Sequence, residues 1–435
     1  MRAKSNANLL SASEVAALTS SGSLRCEDVA RACLSRIDAR ESTVKAWAFL
    51  DPDAILEQAR MLDRQTRRGA LHGVPIGVKD IIDTFDMPTE MGSPIYRGYR
   101  SKSDASCVAL LRMAGALIIG KTATCEFAGV SPCATTNPYD ASRTPGGSSS
   151  GSGAAVADFM VPLALGTQTG GSVQRPSSYC GIVGYKPTFG LICTQGVKPA
   201  AESLDTIGLM ARSVEDVELS ARALTNSAAV EWLPRNTPIR VGVCRTPVWP
   251  EAEAATREVL EDAARRLSKS GAVVRDVELP SRFADLQLTR EIINDFERAR
   301  GMAHEWRTSP DQISEGLSRS IRNGFAISRE RYSDALQRVA VCREELGGIF
   351  SDIDVLLSPA AHGEAPIGLQ YTGDHRFQSI WTQLRTPTVS LPTHAGPNGM
   401  PISIQLIGGP YADGNLLAAS RLIFDLLGRG PTIKA

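Results

Sequence analysis

The stretch of residues 144–153 combines side chains and backbone that suit nucleophilic chemistry. It holds four serines and four glycines in ten residues and runs directly into an apolar segment. A flexible linker does not usually continue into such a segment, and the Gly-x-x-x-x-Gly-Lys-Ser/Thr pattern of a phosphate-binding loop is missing. The glycines therefore indicate unusual backbone angles or a close approach to a ligand.

Ser172 ends a second glycine-rich turn, residues 166–172, which follows an apolar run at residues 161–165. A serine in this position can act as a nucleophile, with adjacent backbone N–H groups as an oxyanion hole. The Gly-x-Ser-x-Gly pattern is absent around Ser172 and around Ser148, and none of the five histidines has the surroundings of a catalytic triad. A lysine is therefore the base to look for.

Lys79 stands in a predicted strand with apolar neighbours on both sides. Its side chain can pair with Asp80 or extend outwards to solvent, and this structural alternative is left open. If the lysine is buried, its pKa falls, and the neutral amine can accept a proton from a hydroxyl group.

Short apolar runs closed by glycine or proline predict buried strands, and helical periodicity predicts helices between them. The predicted strands are residues 73–78, 116–120, 182–185, 191–194, 354–357, 388–391 and 402–407, with another beginning at Ile239. The predicted helices beyond residue 70 are residues 104–114, 150–158, 214–224 and 415–427, with a long helical span at 281–350. This alternation is typical of an α/β protein with a covered sheet, and one domain with inserted helices is expected.

Composition and charge argue against several classes of partner. The 435-residue chain has 47 Lys plus Arg and 47 Asp plus Glu, so no overall basic field would draw it to nucleic acid or acidic lipid. Its nine cysteines lack the paired spacing of zinc sites, which fits reduced thiols in the cytosol. Neither a signal-peptide pattern nor a run of about 18 apolar residues is present. We therefore expect a cytoplasmic protein that binds neither nucleic acid nor a membrane.

The two serine-containing segments and the lysine segment together resemble the amidase signature family. Residues 146–152 match the glycine- and serine-rich motif of that family, and residues 169–172 match its Thr-Gly-Gly-Ser motif. The likeness extends through residues 175–188 and returns at residues 399–408. It implies a single α/β domain whose central mixed, twisted β-sheet is covered on both faces by helices.

The resemblance also implies the roles of individual residues. The Ser-cisSer-Lys triad of the family falls on Ser172 as nucleophile, Ser148 as the bridging serine after a cis peptide bond, and Lys79 as base. Oxyanion donors are expected from the backbone of Thr169, Gly170, Gly171 and Ser172, and supporting contacts from Ser149 and Thr167. This chemistry calls for no metal and no organic cofactor.

Four segments follow from the same resemblance, which covers most of the chain. Residues 1–70 form a helical N-terminal region, which could pair two subunits into a homodimer. Residues 71–225 form the signature core, and residues 351–435 return to the sheet. Residues 226–350 form a variable, partly helical region that faces the substrate.

Arg175 is the candidate that could narrow the substrate. Many family members have Asp where this chain has Gln168, and an arginine two residues after the nucleophile rather than three. This departure resembles the malonamidase subgroup, in which the equivalent arginine binds a substrate carboxylate, and residues 363–366, 372–374 and 381–382 resemble the same subgroup. Guanidinium and carboxylate pair well in a bidentate fork. A structural role for Arg175 in supporting its loop is left open.

The function expected from these residues is hydrolysis of a small carboxamide to a carboxylate and ammonia or an amine, with malonamate-like acidic amides as one substrate class. Two alternatives stay open. One is the A subunit of a tRNA-dependent amidotransferase, against which Gln168, the shifted arginine and the lack of a basic surface weigh. The other is an amidase for aryl or neutral amides.

Overall fold

The computed structural model describes residues 6–66, 68–227 and 238–433. In these ranges eleven strands join into one sheet. The strands are β1 (Trp47–Leu50), β2 (Pro75–Lys79), β3 (Leu117–Thr122), β4 (Leu163–Gln168), β5 (Val183–Lys186), β6 (Thr206–Ala211), β7 (Arg240–Val243), β8 (Val273–Asp276), β9 (Val355–Pro359), β10 (Thr388–Ala395) and β11 (Pro401–Ile407).

The sheet is mixed, with the strand order β1-β3-β2-β4-β6-β5-β10-β11-β9-β7-β8. Strand β2 runs parallel to both β3 and β4, and β7 runs parallel to both β8 and β9. All other neighbours are antiparallel. Because β2 and β4 are parallel neighbours, their carboxyl ends meet at the same edge of the sheet.

Fourteen α-helices are formed by the described residues. They are α1 (Ala12–Ser20), α2 (Cys26–Val44), α3 (Pro52–Asp63), α4 (Ser106–Met113), α5 (Ser150–Ala157), α6 (Gln174–Tyr179), α7 (Val214–Thr225), α8 (Ala254–Lys269), α9 (Leu286–Gly301), α10 (Ala303–Thr308), α11 (Glu315–Ala326), α12 (Arg329–Ile349), α13 (Arg376–Gln383) and α14 (Asp413–Leu427). The first of them begins with a capping box between Ser11 and Glu14.

The central strands are covered on both faces. Every residue of β2, β3, β4, β6, β9 and β11 is buried. Successive side chains of a strand point to opposite faces, so complete burial of a strand requires packing on both sides of the sheet. The expected α/β architecture, a single domain built on a mixed sheet between helices, is therefore confirmed.

The inserted helices have an apolar cluster of their own. Phe283, Leu286 and Ile293 pack there with residues of α12 and with Trp381 of α13. Ile407 at the end of β11 belongs to the same cluster and ties it to the sheet. Helix α9 is thereby held against α13, which lies beside the glycine-rich turn at residues 169–172.

Several sequence predictions are wrong in detail. Residues 191–194 form no strand, because they follow a turn at Gly190 and leave Leu191 and Cys193 exposed rather than buried. The N-terminal region is helical except for β1. The sequence also gives no clear signal for β8, a short edge strand whose side chains are mostly exposed.

Residues 1–5, 67, 228–237 and 434–435 of the predicted segments lie outside the described residues. The roles assigned to the four segments stay predictions. Among the helices of the described ranges, none has both the length and the apolar character needed to cross a membrane.

Candidate active site

Lys79 is the last residue of β2, at the edge where β2 and β4 end together. Its Nζ donates hydrogen bonds to Ser148 Oγ and to Thr167 Oγ1, each at 2.8 Å. Lys79 and Ser148 are both at most 1% exposed. The structure thus brings together three of the residues singled out in the sequence, from segments far apart in the chain.

Burial lowers the pKa of Lys79 from 10.5 to about 7. The charge of Arg175 contributes to this lowering of the Lys79 pKa, whereas the Asp205 carboxylate opposes it. No acidic side chain among the described residues forms an ion pair with Lys79, so the alternative of pairing with Asp80 is wrong. Asp80 instead pairs with Lys121, at 3.2 Å. Near neutral pH a substantial fraction of Lys79 is an uncharged amine.

Ser148 follows a cis peptide bond at Gly147-Ser148, as the family resemblance implies. The next residue, Ser149, joins this loop to β4, because its Oγ accepts a hydrogen bond from the Thr167 amide at 3.2 Å and donates one to the Thr167 carbonyl at 3.3 Å. Helix α5 begins directly afterwards at Ser150. The loop and the strand are therefore locked in register at the point where Lys79 contacts both.

Ser172 lines a cavity of about 500 Å³. In the described part of the chain its hydroxyl group forms no hydrogen bond, so the structure does not join Ser172 to Ser148 directly. The backbone N–H groups of residues 169–172 likewise donate to no other group in the described ranges, and all four residues line the cavity. Other residues around the cavity include Ala128, Val130, Arg175, Arg290, Arg298, Tyr371, Asp374 and His375.

The two glycines before Ser172 are required by packing against neighbouring side chains. A Cβ built on Gly171 would lie 2.6 Å from Gln378 Oε1, and one built on Gly170 would lie 3.0 Å from Arg290 Nη2. Real Cβ atoms essentially never approach as closely as 2.6 Å, and 3.0 Å is tighter than most real Cβ contacts. Glycine therefore lets α13 and the Arg290 side chain pack directly against the turn.

Gln168 holds the other side of the turn. Its Oε1 accepts hydrogen bonds from the amides of Val173 and Gln174 at 2.9 and 3.0 Å, and its Nε2 donates to Thr382 Oγ1 at 3.0 Å. The side-chain oxygen therefore does what a carboxylate oxygen could do at this position. Gln168 keeps the shape of the turn although it carries no charge.

Arg175 is buried and its guanidinium group is already bonded. Nη1 donates to the Gly373 carbonyl at 2.7 Å, and Nη2 donates to the Gly147 carbonyl at 2.6 Å and to Thr372 Oγ1 at 3.1 Å. These bonds tie the loop before Ser148 to residues 372–373. The geometry therefore supports the alternative in which Arg175 stabilises its loop, and it does so by hydrogen bonds to two carbonyls and a hydroxyl group rather than by an ion pair.

Sequence reasoning missed Arg290, Arg298 and His375, which share the cavity with Ser172. Burial lowers the pKa of His375 well below its ordinary value, and the charges of Arg290 and Arg175 add to this effect. None of the three stands in a recognised motif. For His375 a signal existed, since it directly follows residues 372–374, a stretch already singled out in the sequence.

One group of side chains has the ligand types of a metal site. Glu251, His362 and Asp374 bring ligand atoms close to one another. Arg376 already bonds both carboxylates, at 2.6 Å to Glu251 Oε1 and 2.6 Å to Asp374 Oδ2. The positive charge that these acids attract is thus supplied by the protein.

Comparison with known proteins agrees with this geometry. The family model described as Amidase matches residues 28–417. The A subunit of the glutamyl-tRNA(Gln) amidotransferase from Symbiobacterium thermophilum is 34% identical, over 94% of this chain and 95% of its own length. The corresponding protein from Chloroflexus aggregans is 33% identical, over 91% and 92%.

Solved structures give the same result. One described as an amidase is 28% identical, with a TM-score of 0.88 over 96% of this chain and all of its own. The matched range contains Lys79, Ser148 and Ser172, and the shared fold extends over nearly the whole molecule. The chain therefore belongs to the amidase family, and it is an enzyme that hydrolyses amide C–N bonds.

Proposed function

We propose that this enzyme releases ammonia from a small primary carboxamide through an acyl-enzyme on Ser172. The observation that carries the proposal is the buried Lys79 amine, 2.8 Å from Ser148, next to a turn that presents Ser172 and four unpaired N–H groups to one cavity. A base, a hydroxyl relay, a nucleophile and oxyanion donors are the parts that acyl transfer needs.

The reaction begins when Ser172 Oγ attacks the amide carbon. Its proton moves to Ser148 as the proton of Ser148 moves to neutral Lys79, which requires the Ser172 hydroxyl to approach Ser148 when substrate is bound. The oxygen of the tetrahedral intermediate then accepts hydrogen bonds from N–H groups of residues 169–172. The same relay returns a proton to the nitrogen, the C–N bond breaks and ammonia leaves. Water, deprotonated by the relay, attacks the ester carbon, and the relay returns the proton to Ser172 Oγ as the ester C–O bond breaks and the carboxylate leaves.

Ser149 and Thr167 act as positioning residues in this proposal. Thr167 Oγ1 and Ser148 Oγ accept the two hydrogen bonds of Lys79, which aim the amine at the relay. Ser149 holds the backbone of Thr167 and so preserves that geometry. A displacement of about 1 Å at such a site can cost about a hundredfold in rate.

The curated relatives favour the amidotransferase function over malonamate hydrolysis as the physiological role. Both relatives described above are components of glutamyl-tRNA(Gln) amidotransferases. Gln168 is a weak objection, because its Oε1 supports the turn as a carboxylate would. In that role the chain would work with partner subunits, which the sequence did not lead us to expect.

Malonamate hydrolysis by way of Arg175 has less support. The two Nη atoms of Arg175 already donate to three protein acceptors, so binding a substrate carboxylate there would break bonds that hold the serine loop. Hydrolysis of aryl or neutral amides stays a third possibility. Pairing of two copies and the absence of nucleic acid contacts also stay predictions.

The test is ammonia release by the purified chain from malonamate, malonamide, a neutral aliphatic amide, an anilide and glutamine, with Ser172→Ala as control. We expect turnover of at least one primary amide, abolished in the variant. Glutamine turnover only after partner subunits are added would identify the amidotransferase role. Turnover that persists in Ser172→Ala would contradict the proposal.

A further inference from the structure

Arg290 lines the active-site cavity, and its guanidinium group forms no hydrogen bond or ion pair with another described residue. It lies on α9 and lines the cavity together with Ser172. Its Nε is buried and has no hydrogen-bond partner. Among the described residues, no acceptor or acidic group forms a hydrogen bond or ion pair with this side chain. Arg290 as a whole is half-buried, yet a guanidinium group with a buried Nε normally finds such partners, because desolvated charge is costly.

The other cavity arginines are engaged. Arg175 also has a buried Nε without a partner, but its two Nη atoms donate to three acceptors in the loops beside Ser148. Arg376 bonds the carboxylates of Asp374 and Glu251. Arg298 donates to Asn294 Oδ1 at 3.3 Å, although its Nη1 has no partner. These contacts leave Arg290 as the arginine best able to accept a new anionic partner.

The acidic residues around Arg290 do not neutralise it. Asp295 accepts hydrogen bonds from Ser320 Oγ at 2.5 Å and from Asn294 Nδ2 at 3.1 Å, and Glu291 is exposed. Burial, aided by the charge of Arg298, lowers the pKa of Arg290 to about 10, although the carboxylates of Asp295 and Glu291 oppose the shift. The group therefore stays protonated at neutral pH.

Gly170 leaves room for Arg290 to lie close to the nucleophile turn. A Cβ built on Gly170 would lie 3.0 Å from Nη2 and 3.6 Å from Cζ of Arg290. The guanidinium group thus lies against the backbone that carries the proposed oxyanion donors, two residues before Ser172. The cavity that Ser172 lines therefore extends beside Arg290, within reach of a second group on a substrate bound at Ser172.

We propose that Arg290 binds a carboxylate carried by the amide substrate, so that the enzyme selects acidic or zwitterionic carboxamides. The inference rests on the proposed function, since it assigns the substrate class of the same site. Guanidinium and carboxylate form two parallel charge-assisted hydrogen bonds, which fix orientation as well as supply affinity. Malonamate and glutamine each have both a primary carboxamide and a carboxylate. Kinetics measured on each compound shows which of the two the enzyme prefers.

The kinetic test compares Arg290→Met with the unchanged enzyme on malonamate, glutamine and malonamide, the last being the neutral counterpart of malonamate. For the preferred acidic substrate we expect kcat/KM to fall by about a hundredfold, mainly through KM, with malonamide changed by less than about threefold. Arg290→Lys should recover part of the loss. Arg307→Met, which removes an exposed arginine from the neighbouring helix α10, is the matched control.

Equal losses on malonamate and malonamide would overturn the inference, because Arg290 would then serve the fold or the oxyanion. An unchanged kcat/KM on both acidic substrates would overturn it as well. Neither result would touch the proposed function, which depends on Ser172.

Calorimetric measurement of malonate binding to the Ser172→Ala variant distinguishes a failure of the proposed function from a failure of the proposed carboxylate site. We expect Arg290→Met in that background to weaken malonate binding by at least about tenfold, and Arg307→Met to leave it unchanged. If no amide is turned over, the proposed function fails, yet an Arg290-dependent affinity for malonate still supports the carboxylate subsite. Malonate affinity independent of Arg290 would overturn the inference whatever the kinetics show.

Discussion

At the scale of single residues, burial decides the chemistry of Lys79. A lysine at the surface is protonated at neutral pH and cannot accept a proton from a hydroxyl group. At the end of β2 the side chain is fully buried, with two hydroxyl oxygens and no acid as hydrogen-bond partners, and its pKa falls to about 7. The amine can therefore act as a base without any histidine.

The pH dependence of catalysis follows from this shift. Because the neutral form of Lys79 is the base, kcat/KM for a neutral amide should rise with pH and level off above an apparent pKa of about 7. Below that value it should fall about tenfold per pH unit. Steady-state kinetics on malonamide between pH 5 and 9 measure the profile. Lys79→Met should abolish the activity and with it the fall in kcat/KM below pH 7. A flat pH profile in the unchanged enzyme would exclude a titrating Lys79 as the base.

At the scale of secondary-structure elements, helix α13 packs directly against the turn at residues 169–172 because residue 171 is a glycine. Gly171 packs against Gln378 of α13, whose side-chain Nε2 bonds the Ala360 carbonyl. This direct contact holds the turn that presents four free N–H groups. A side chain at residue 171 would push the turn and α13 apart.

Gly171→Ala should therefore damage catalysis more than folding. The added Cβ would lie 2.6 Å from Gln378 Oε1 and 3.1 Å from His375 Cβ, so either the turn or these packed side chains of α13 and its N-terminus must shift. Misplaced oxyanion donors should lower kcat by about a hundredfold or more. Gly301→Ala is the control, because a Cβ there has open space around it. Rates and thermal denaturation measured together decide: equal kcat in the two variants would mean that the turn is not catalytic.

Whether the sequence could predict a feature depended on whether its residues are contiguous in the chain or are brought together only by folding. Residues 146–152 and 169–172 are contiguous motifs, so their chemistry could be inferred before the fold was known. The apolar run 191–194 was misleading because four apolar or small residues in a turn look like a short strand. Arg290 could not be found, since only the tertiary packing of α9 brings it to Ser172.

At the scale of the whole molecule, the described residues include a third buried lysine besides Lys79 and the Asp80-paired Lys121, namely Lys186, which has no acidic hydrogen-bond partner. Lys186 Nζ donates to the carbonyls of Thr386 and Pro187, at 2.5 and 3.0 Å, and burial lowers its pKa to about 7, with Asp413 opposing the shift. Lys79 and Lys186 both have folded-state pKa values below the ordinary 10.5. Between these values the unfolded chain binds more protons than the folded one.

Stability should therefore rise with pH above neutrality. Each lysine contributes a slope of about 1 kcal/mol per pH unit to the free energy of unfolding, from about pH 7 to the range where thiols ionise. Urea unfolding at pH 7 and 8.5 measures the slope. Lys186→Met should reduce the slope by about 1 kcal/mol per pH unit relative to the unchanged protein, and an unaltered slope would show that Lys186 stays charged in the folded state.

The most direct test of the proposed mechanism is mass spectrometry of the enzyme quenched in acid during turnover of a primary amide. We expect an acyl adduct on the peptide that contains Ser172, with none formed by Ser172→Ala or Lys79→Met. An adduct on Ser148, on a cysteine or on any other residue would contradict the assignment of Ser172 as nucleophile. Turnover without an adduct on Ser172, in an enzyme whose deacylation limits the rate, would contradict it equally.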